Sequence, residues 1–314
     1  MQQDVAKRGE LRCLFAGVSL ALAASACAPL ERAFDPHERF AVYYDQSAPA
    51  DAFARFDTVV LDGDVHPDLN SLKDNQQQLI GYISVGEIKA GSPVEQRFDD
   101  DMKISTHPYW KSTLVDIRRN EWQEYLLSEE IPALLAKGFD GVMLDTIDSA
   151  LYQEVLEPKR YAGMKDAAAQ IVKQIRSRYP HITIMVNRAF DLMPLIAADT
   201  DILLAESTLS HYDLSEKRAS FAPDEDYAQY LAKIRAAQGV SERLKVYTLD
   251  YWDMNDPEGI SKIYELQRKQ GFVPYVATPD LRVIYHESKI DLNTAPAFRR
   301  AADSRNYEKG SHHA

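Results

Sequence analysis

The chain has 314 residues, 45% hydrophobic and 27% charged, ordinary values for a globular protein whose core could be one α/β barrel or two smaller domains. A formal net charge of −12 argues against nucleic acid and against an anionic membrane surface as partners, and favours a cationic or neutral ligand. Of the two cysteines, Cys13 lies in an apolar leader, so the domain beyond Cys27 can form no internal disulfide and has no thiolate metal site.

That leader comes first. Lys7, Arg8 and Arg12 precede the apolar run Cys13 to Leu22, which leads to Ala24-Ser25-Ala26-Cys27. Basic, apolar and small residues in this order form an export signal over residues 1–27, too short to span a bilayer comfortably. Cys27 after three small residues resembles a bacterial lipobox, and lipidation there would leave a membrane-anchored lipoprotein, periplasmic or at the cell surface, held by lipid alone. Ala24-Ser25-Ala26 also has the form of an ordinary cleavage site, which would release a periplasmic or secreted protein. Residues 28–38, with Pro29 and Pro36, read as a tether.

From Arg39 onward strand-like runs alternate with helical ones. The runs are Phe40 to Tyr44, Thr58 to Leu61, Leu79 to Val85, Phe139 to Leu144, Ile182 to Val186, Ile202 to Ala205, Leu244 to Leu249 and Phe272 to Ala277. Thr113 to Ile117 is an extra candidate inside the long excursion after the third run. Between them, Met164, Ala167, Ala168, Ile171, Val172 and Ile175 follow helical spacing and Pro180 lies just beyond. Asp256-Pro257 fits a helix cap followed by proline at the first helical position, and Gly271 fits the residue after that helix. Tyr227, Tyr230, Leu231 and Ile234 make a further stripe, read as core packing. Eight such units over residues 39–293 predict a (β/α)8 TIM barrel, which typically takes about 250 residues. A doubly wound sheet is the runner-up, without the Gly-rich turn after the first strand that a nucleotide fold needs. Gln76-Gln77-Gln78 is the one low-complexity patch, and residues 294–314 form a polar tail.

In a barrel, function gathers where strands end and βα loops open. Polar residues do collect there: Tyr44 after the first run, Asp62 after the second, Glu87 after the third, Asp145 and Asp148 after the fourth. Asn187 follows the fifth, Glu206 the sixth, and Asp250, Tyr251 and Trp252 the seventh. Carboxylates, an amide and aromatic rings suit a sugar, whose hydroxyls need acceptors and whose apolar faces need stacking partners. Asp145 and Glu206 end strands four and six and can face each other across the mouth, as the two carboxyl groups of a glycosidase must. The apolar approach Leu203-Leu204-Ala205 would raise Glu206 and keep it protonated, as an acid requires. Glu87 and Asp62 suit either substrate contact or a supporting layer. Asp62, Asp64 and His66 could suggest a metal hydrolase, but no His-x-His or His-Glu-x-x-His pattern occurs among eight histidines. Neither a metal nor a cofactor is expected.

These residues also resemble a known family. The series Gly81-Tyr82-Ile83-Ser84-Val85-Gly86-Glu87, then Gly138 to Asp145, Asn187, Glu206 and Leu249-Asp250-Tyr251 is similar to glycoside hydrolase family 114 and to the related Pel-polysaccharide hydrolase domains. Asp145-Thr146-Ile147-Asp148 looks more like the Pel-associated group. The resemblance implies a barrel without metal that cleaves α-1,4-linked galactosamine polymer with retention, Asp145 matching the nucleophile and Glu206 the acid/base. Tyr82 joins Tyr44, Asp62, Glu87, Asp148, Asn187, Asp250, Tyr251 and Trp252 as expected substrate contacts. An aminosugar polysaccharide is then the expected partner, and a monomer the expected state. A barrel lipoprotein that binds such a polymer without cutting it is the alternative. If Cys27 carries the lipid, Cys27→Ser should move the protein from the membrane fraction to the soluble exported fraction. Identical fractionation of variant and wild type would rule the anchor out.

Overall fold

The eight apolar runs form one parallel sheet in which every neighbour is the next run along the chain. They are β1 (Phe40–Tyr43), β2 (Thr58–Leu61), β3 (Gln78–Ser84), β4 (Gly141–Asp145), β5 (Thr183–Asn187), β6 (Ile202–Glu206), β7 (Lys245–Tyr251) and β8 (Val273–Ala277). The computed structural model describes residues 35, 37–74, 76–107 and 109–287. The expected export signal, Cys27, most of the tether and the tail 294–314 lie outside the described residues. β1 and β8 meet at the seam, where the Phe40 and Tyr275 rings are 5.7 Å apart and the Tyr44 N–H donates to the Leu281 carbonyl at 2.8 Å. The sheet is therefore a nearly closed (β/α)8 barrel. A doubly wound sheet would show a crossover in strand order, and there is none.

The strands read as continuous apolar runs because helices cover one face and the barrel interior the other. β1, β2 and β8 are buried along their whole length. The helix Met164–Arg178 buries the six residues of its predicted stripe together with Ala169. At Pro257–Lys269 the Asp256 carboxylate accepts from the Gly259 N–H at 3.0 Å, and Gly271 follows in the left-handed region at φ 76°. The helix before β4 stops at Gly138, whose φ of 115° only glycine adopts readily. The glutamine patch is structural: Gln77 is buried and donates to the Phe53 and Phe56 carbonyls, while Gln78 opens β3 and bonds Thr183 Oγ1 at 2.8 Å.

Two insertions interrupt the repeat. Between β3 and β4 the expected extra strand forms as Ser112–Val115, set between Glu87–Lys89 and Lys103–His107 in an antiparallel sheet. Between β6 and the helix Asp224–Val240 an unexpected hairpin pairs Ser210–Asp213 with Arg218–Phe221. Its strands are short and mostly polar, so they carry no apolar alternation.

Register sets the mouth of the barrel. Ser84 lies beside Asp145, Asn187 beside Leu204, and Glu206 beside Leu249. The β4–β5 approach is so close that a Cβ on Gly141 would sit 2.2 Å from the Thr183 carbonyl oxygen. Gly141→Ala should therefore force the two strands apart and destabilise the protein by about 1–3 kcal/mol, read as a lowered Tm. An unchanged Tm would show that the strands are not held at this spacing.

Candidate active site

Three adjacent strands end in three polar side chains, and the middle one ties the outer two together. The Asn187 amide donates from its single nitrogen to Asp145 Oδ1 at 2.9 Å and to Glu206 Oε2 at 2.6 Å. The other Glu206 oxygen, Oε1, accepts from the Tyr251 hydroxyl at 2.7 Å. The sequential strand order seats Asn187 between the two acids. Asn187 is buried, and its Oδ1 has no hydrogen-bond partner among the described residues. Leaving such an acceptor unmade costs about 1–3 kcal/mol. The amide tolerates this because the flipped orientation would press a carbonyl oxygen against two carboxylates.

Burial and mutual repulsion dominate the electrostatics. The Asp145 carboxyl is pushed up to about 6, first by burial and then by the charge of Glu206; the Asn187 hydrogen bond works against both. The sequence placed the expectation of a raised carboxyl on Glu206, from its apolar approach. Asp145 is the group at which burial and a neighbouring charge combine in this structure. Three phenols ring the pair. Tyr251 is held well above its ordinary value by burial and then by Glu206, so it stays a hydrogen-bond donor. Tyr44 is raised by burial and then by Tyr82, Asp145 and Glu206, and Tyr82 by burial and then by Asp145. The Tyr44 and Tyr82 rings meet edge to face at 5.5 Å.

The backbone turns sharply behind each of the three residues. Thr146 (φ 61°), Arg188 (φ 55°) and Ser207 (φ 52°) directly follow Asp145, Asn187 and Glu206, and all are left-handed without being glycine. Such conformations cost of order 1–3 kcal/mol and persist where the surroundings over-determine them. Thr146 shows how: its Oγ1 accepts from the Gly86 N–H at 2.8 Å and lies 2.9 Å from Ser84 Oγ. Gly86 must lack a side chain there, since a Cβ would come within 2.2 Å of the Thr146 carbonyl oxygen.

Arg188 is the site residue that sequence reading missed. Its Nε donates to Asp148 Oδ2 at 3.2 Å and its Nη1 to the Glu206 carbonyl at 2.9 Å. Burial would lower the guanidinium, but Asp148 and then Glu206 hold it above its ordinary value. Asp148 is thus the partner of Arg188 at the edge of the group.

The remaining expected contacts stand further back. Asp62 Oδ1 accepts from the Asp64 and Val65 N–H groups, each at 2.8 Å, closing the turn after β2. Asp64 pairs with Lys137, and His66 turns to the Pro67 carbonyl, so that trio is not assembled as a metal cluster. Glu87 is buried at the root of the β3–β4 excursion and accepts from Ser112 Oγ at 2.5 Å. Two expected contacts are not brought to the mouth at all. Asp250 is fully buried, its Oδ1 taking the Leu209 and Ser210 N–H groups and the Ser210 hydroxyl, its Oδ2 taking Gln267 Nε2. Trp252 packs in a separate apolar cluster and donates to Asp256 Oδ2 at 2.9 Å.

The raised Asp145 makes a stability prediction. Its folded value of about 6 exceeds the ordinary 3.8, so between these pH values the native state binds more protons than the unfolded chain. Stability conferred by this group is complete below pH 3.8 and lost as pH rises through about 6. Asp145→Asn lacks this loss, so its Tm relative to wild type should climb between pH 4 and pH 7, by at least about 2 °C. A difference in Tm that stays flat across the range would contradict the burial of a strained carboxylate.

Comparison with known proteins bears on what this arrangement does. The glycoside hydrolase domain of PelA from Pseudomonas aeruginosa superposes with a TM-score of 0.70 at 23% identity, covering 78% of this chain and 96% of that one. Aspergillus fumigatus Ega3, solved in complex with galactosamine, superposes with a TM-score of 0.58 at 13% identity, covering 78% and 92%. At these identities the likeness is one of fold. An uncharacterized protein of Deinococcus radiodurans is 29% identical over 217 residues, 65% of this chain and 65% of its own length, so the match spans just under two thirds of that relative. Residues 20–293 match the profile of glycoside-hydrolase family GH114, and on that match the chain belongs to the family and is by membership a glycosidase.

Proposed function

We propose that the protein hydrolyses α-1,4-linked galactosamine or N-acetylgalactosamine polymer with retention of configuration, Asp145 acting as nucleophile and Glu206 as acid/base. The observation that carries this is the shared amide. Two oxygens bonded to one nitrogen at 2.9 and 2.6 Å can be no further apart than the two bonds laid end to end, about 5.5 Å. Retaining glycosidases keep their carboxyl groups about 5 to 5.5 Å apart, whereas inverting ones need roughly 6.5 to 9.5 Å for a water. The galactosamine bound to Ega3 supports the substrate class, and the likeness to the glycoside hydrolase domain of PelA supports the type of reaction. The chain's formal charge of −12 suits a polymer that is cationic where it is deacetylated. In the same reading the protein is exported, tethered by lipid at Cys27, and acts as a monomer.

The roles follow from chemistry at named atoms. Asp145 attacks the anomeric carbon while Glu206 gives its proton to the glycosidic oxygen, and the bond to the departing sugar breaks. Glu206, now a carboxylate, takes a proton from water, which displaces Asp145 and restores the α configuration. Asn187 and Tyr251 present N–H and O–H donors to the carboxylate that Glu206 becomes. Attack by an ionised Asp145 with a proton held on Glu206 needs a single proton on the coupled pair, and that last proton leaves near pH 6, so kcat/KM should fall about tenfold per unit as pH rises above 6.

Substitution separates the two carboxyl groups. Asp145→Asn and Glu206→Gln should each lose roughly 10²-fold or more in turnover on polymer. An aryl glycoside with an acidic leaving group needs no proton, so Glu206→Gln should retain far more activity on it, whereas Asp145→Asn should fail on both. Product anomers followed by NMR should be α. A β product, or full polymer cleavage by Asp145→Asn, would overturn the assignment.

A further inference from the structure

A cavity of about 540 Å³ opens beside the loop that follows β6, between the Ser210–Asp213/Arg218–Phe221 hairpin and the helix Asp224–Val240. Ligand pockets run from roughly 300 to 1,000 Å³, so the space is sufficient for a sugar. It adjoins the site already described along the chain. Its wall begins at Ser207, the residue after Glu206, and includes Tyr230, which is near enough to Arg188 to help raise its guanidinium. Arg188 in turn holds the Glu206 carbonyl.

The wall is fixed before any ligand arrives. One end of the hairpin is pinned by Asp250, which takes the Leu209 and Ser210 N–H groups, and the Ser210 hydroxyl accepts the Tyr251 N–H at 3.0 Å. The other end is held at Phe221, whose ring centroid lies 4.5 Å from Trp252 and 4.4 Å from the Lys262 ammonium. Preorganisation of this kind lowers the ordering cost of binding. The lining is polar and carries one uncompensated charge. Lys233 on the rim is neutralised by Asp191 at 3.0 Å, whereas Asp226 forms no ion pair among the described residues. Ser220 and Gln229 add hydroxyl and amide groups suited to sugar hydroxyls.

We propose that this cavity is a subsite for the sugar on the leaving-group side of the scissile bond, and that Asp226 there recognises the ammonium of a deacetylated galactosamine unit. The side follows from position: the cavity starts at Ser207, the residue directly after the acid/base. The proposal rests on the reading of the protein as a galactosaminidase, and it assigns the hairpin insertion a role in selecting deacetylated polymer.

The test compares purified wild type, Asp226→Asn and Ser220→Trp on three probes: deacetylated galactosamine oligomers, their N-acetylated counterparts, and an aryl galactosaminide. Asp226→Asn should lose about tenfold in kcat/KM on the deacetylated oligomers, and stay within about twofold of wild type on the other two. Ser220→Trp fills the cavity and should lose about tenfold or more on both oligomers, again sparing the aryl substrate. Retained aryl activity shows that each variant is folded with an intact centre. Oligomer rates equal to wild type in both variants would overturn the subsite while leaving the proposed function standing, and so would losses equal on all three probes. Failure of wild type to cleave either oligomer would overturn both.

Discussion

The site depends on one amide nitrogen that serves two acids. Carboxylates with oxygens within about 5.5 Å of each other in a partly desolvated mouth repel, and without a shared donor they would part or take up a proton. Asn187 supplies two N–H bonds from one uncharged group, at 2.9 and 2.6 Å, so it holds the spacing without neutralising either acid. A lysine here would collapse the charge difference that the chemistry uses. A threonine would have only one proton to give. The requirement explains why the amide stands on the strand between the two acids.

Holding that arrangement is costly locally and cheap globally. Three left-handed non-glycine residues, one directly behind each functional side chain, and an unpartnered amide oxygen are concentrated within one rim of the barrel. The apolar strands beneath supply the rigidity. β4 and β6 are buried up to the residue that carries the carboxylate, so Asp145 and Glu206 are the first positions at which the chain can carry charge. Behind them the backbone must turn away at once. Thr146, tied to Ser84 and Gly86, shows that this turn is built from side-chain and backbone hydrogen bonds rather than from glycine freedom.

Much of this was legible in the chain. Strands covered on both faces leave continuous apolar runs, and all eight were readable to within a residue or two at most ends; so were the acids that terminate β4 and β6. The misreading at β7 has a geometric cause. The apolar run ends at Leu249, but the strand continues to Tyr251, so Asp250 lies inside it rather than beyond it. Side chains alternate along a strand, so Asp250 and Tyr251 diverge: Tyr251 reaches Glu206, while Asp250 turns outward to Gln267 and the hairpin root. Trp252 packs on the same outer side as Asp250, against the hairpin at Phe221. Arg188 was hidden for a different reason. An arginine after a strand reads as a solvated loop residue, and only the left-handed backbone turns it onto Asp148 and the Glu206 carbonyl. The stripe around Tyr230 was read as core, yet that phenol is half-buried and lines the cavity beside the acids.

The central claim is that Asp145 and Glu206 form an electrostatically coupled pair held by Asn187. The most direct measurement is a carboxyl-carbon NMR titration of Asp145 in wild type and in Glu206→Gln. Wild-type Asp145 should titrate near pH 6, and removing the Glu206 charge should lower its midpoint while leaving the part due to burial. An Asp145 midpoint that does not move when Glu206 loses its charge, or one already at the ordinary carboxylate value in wild type, would contradict the coupling.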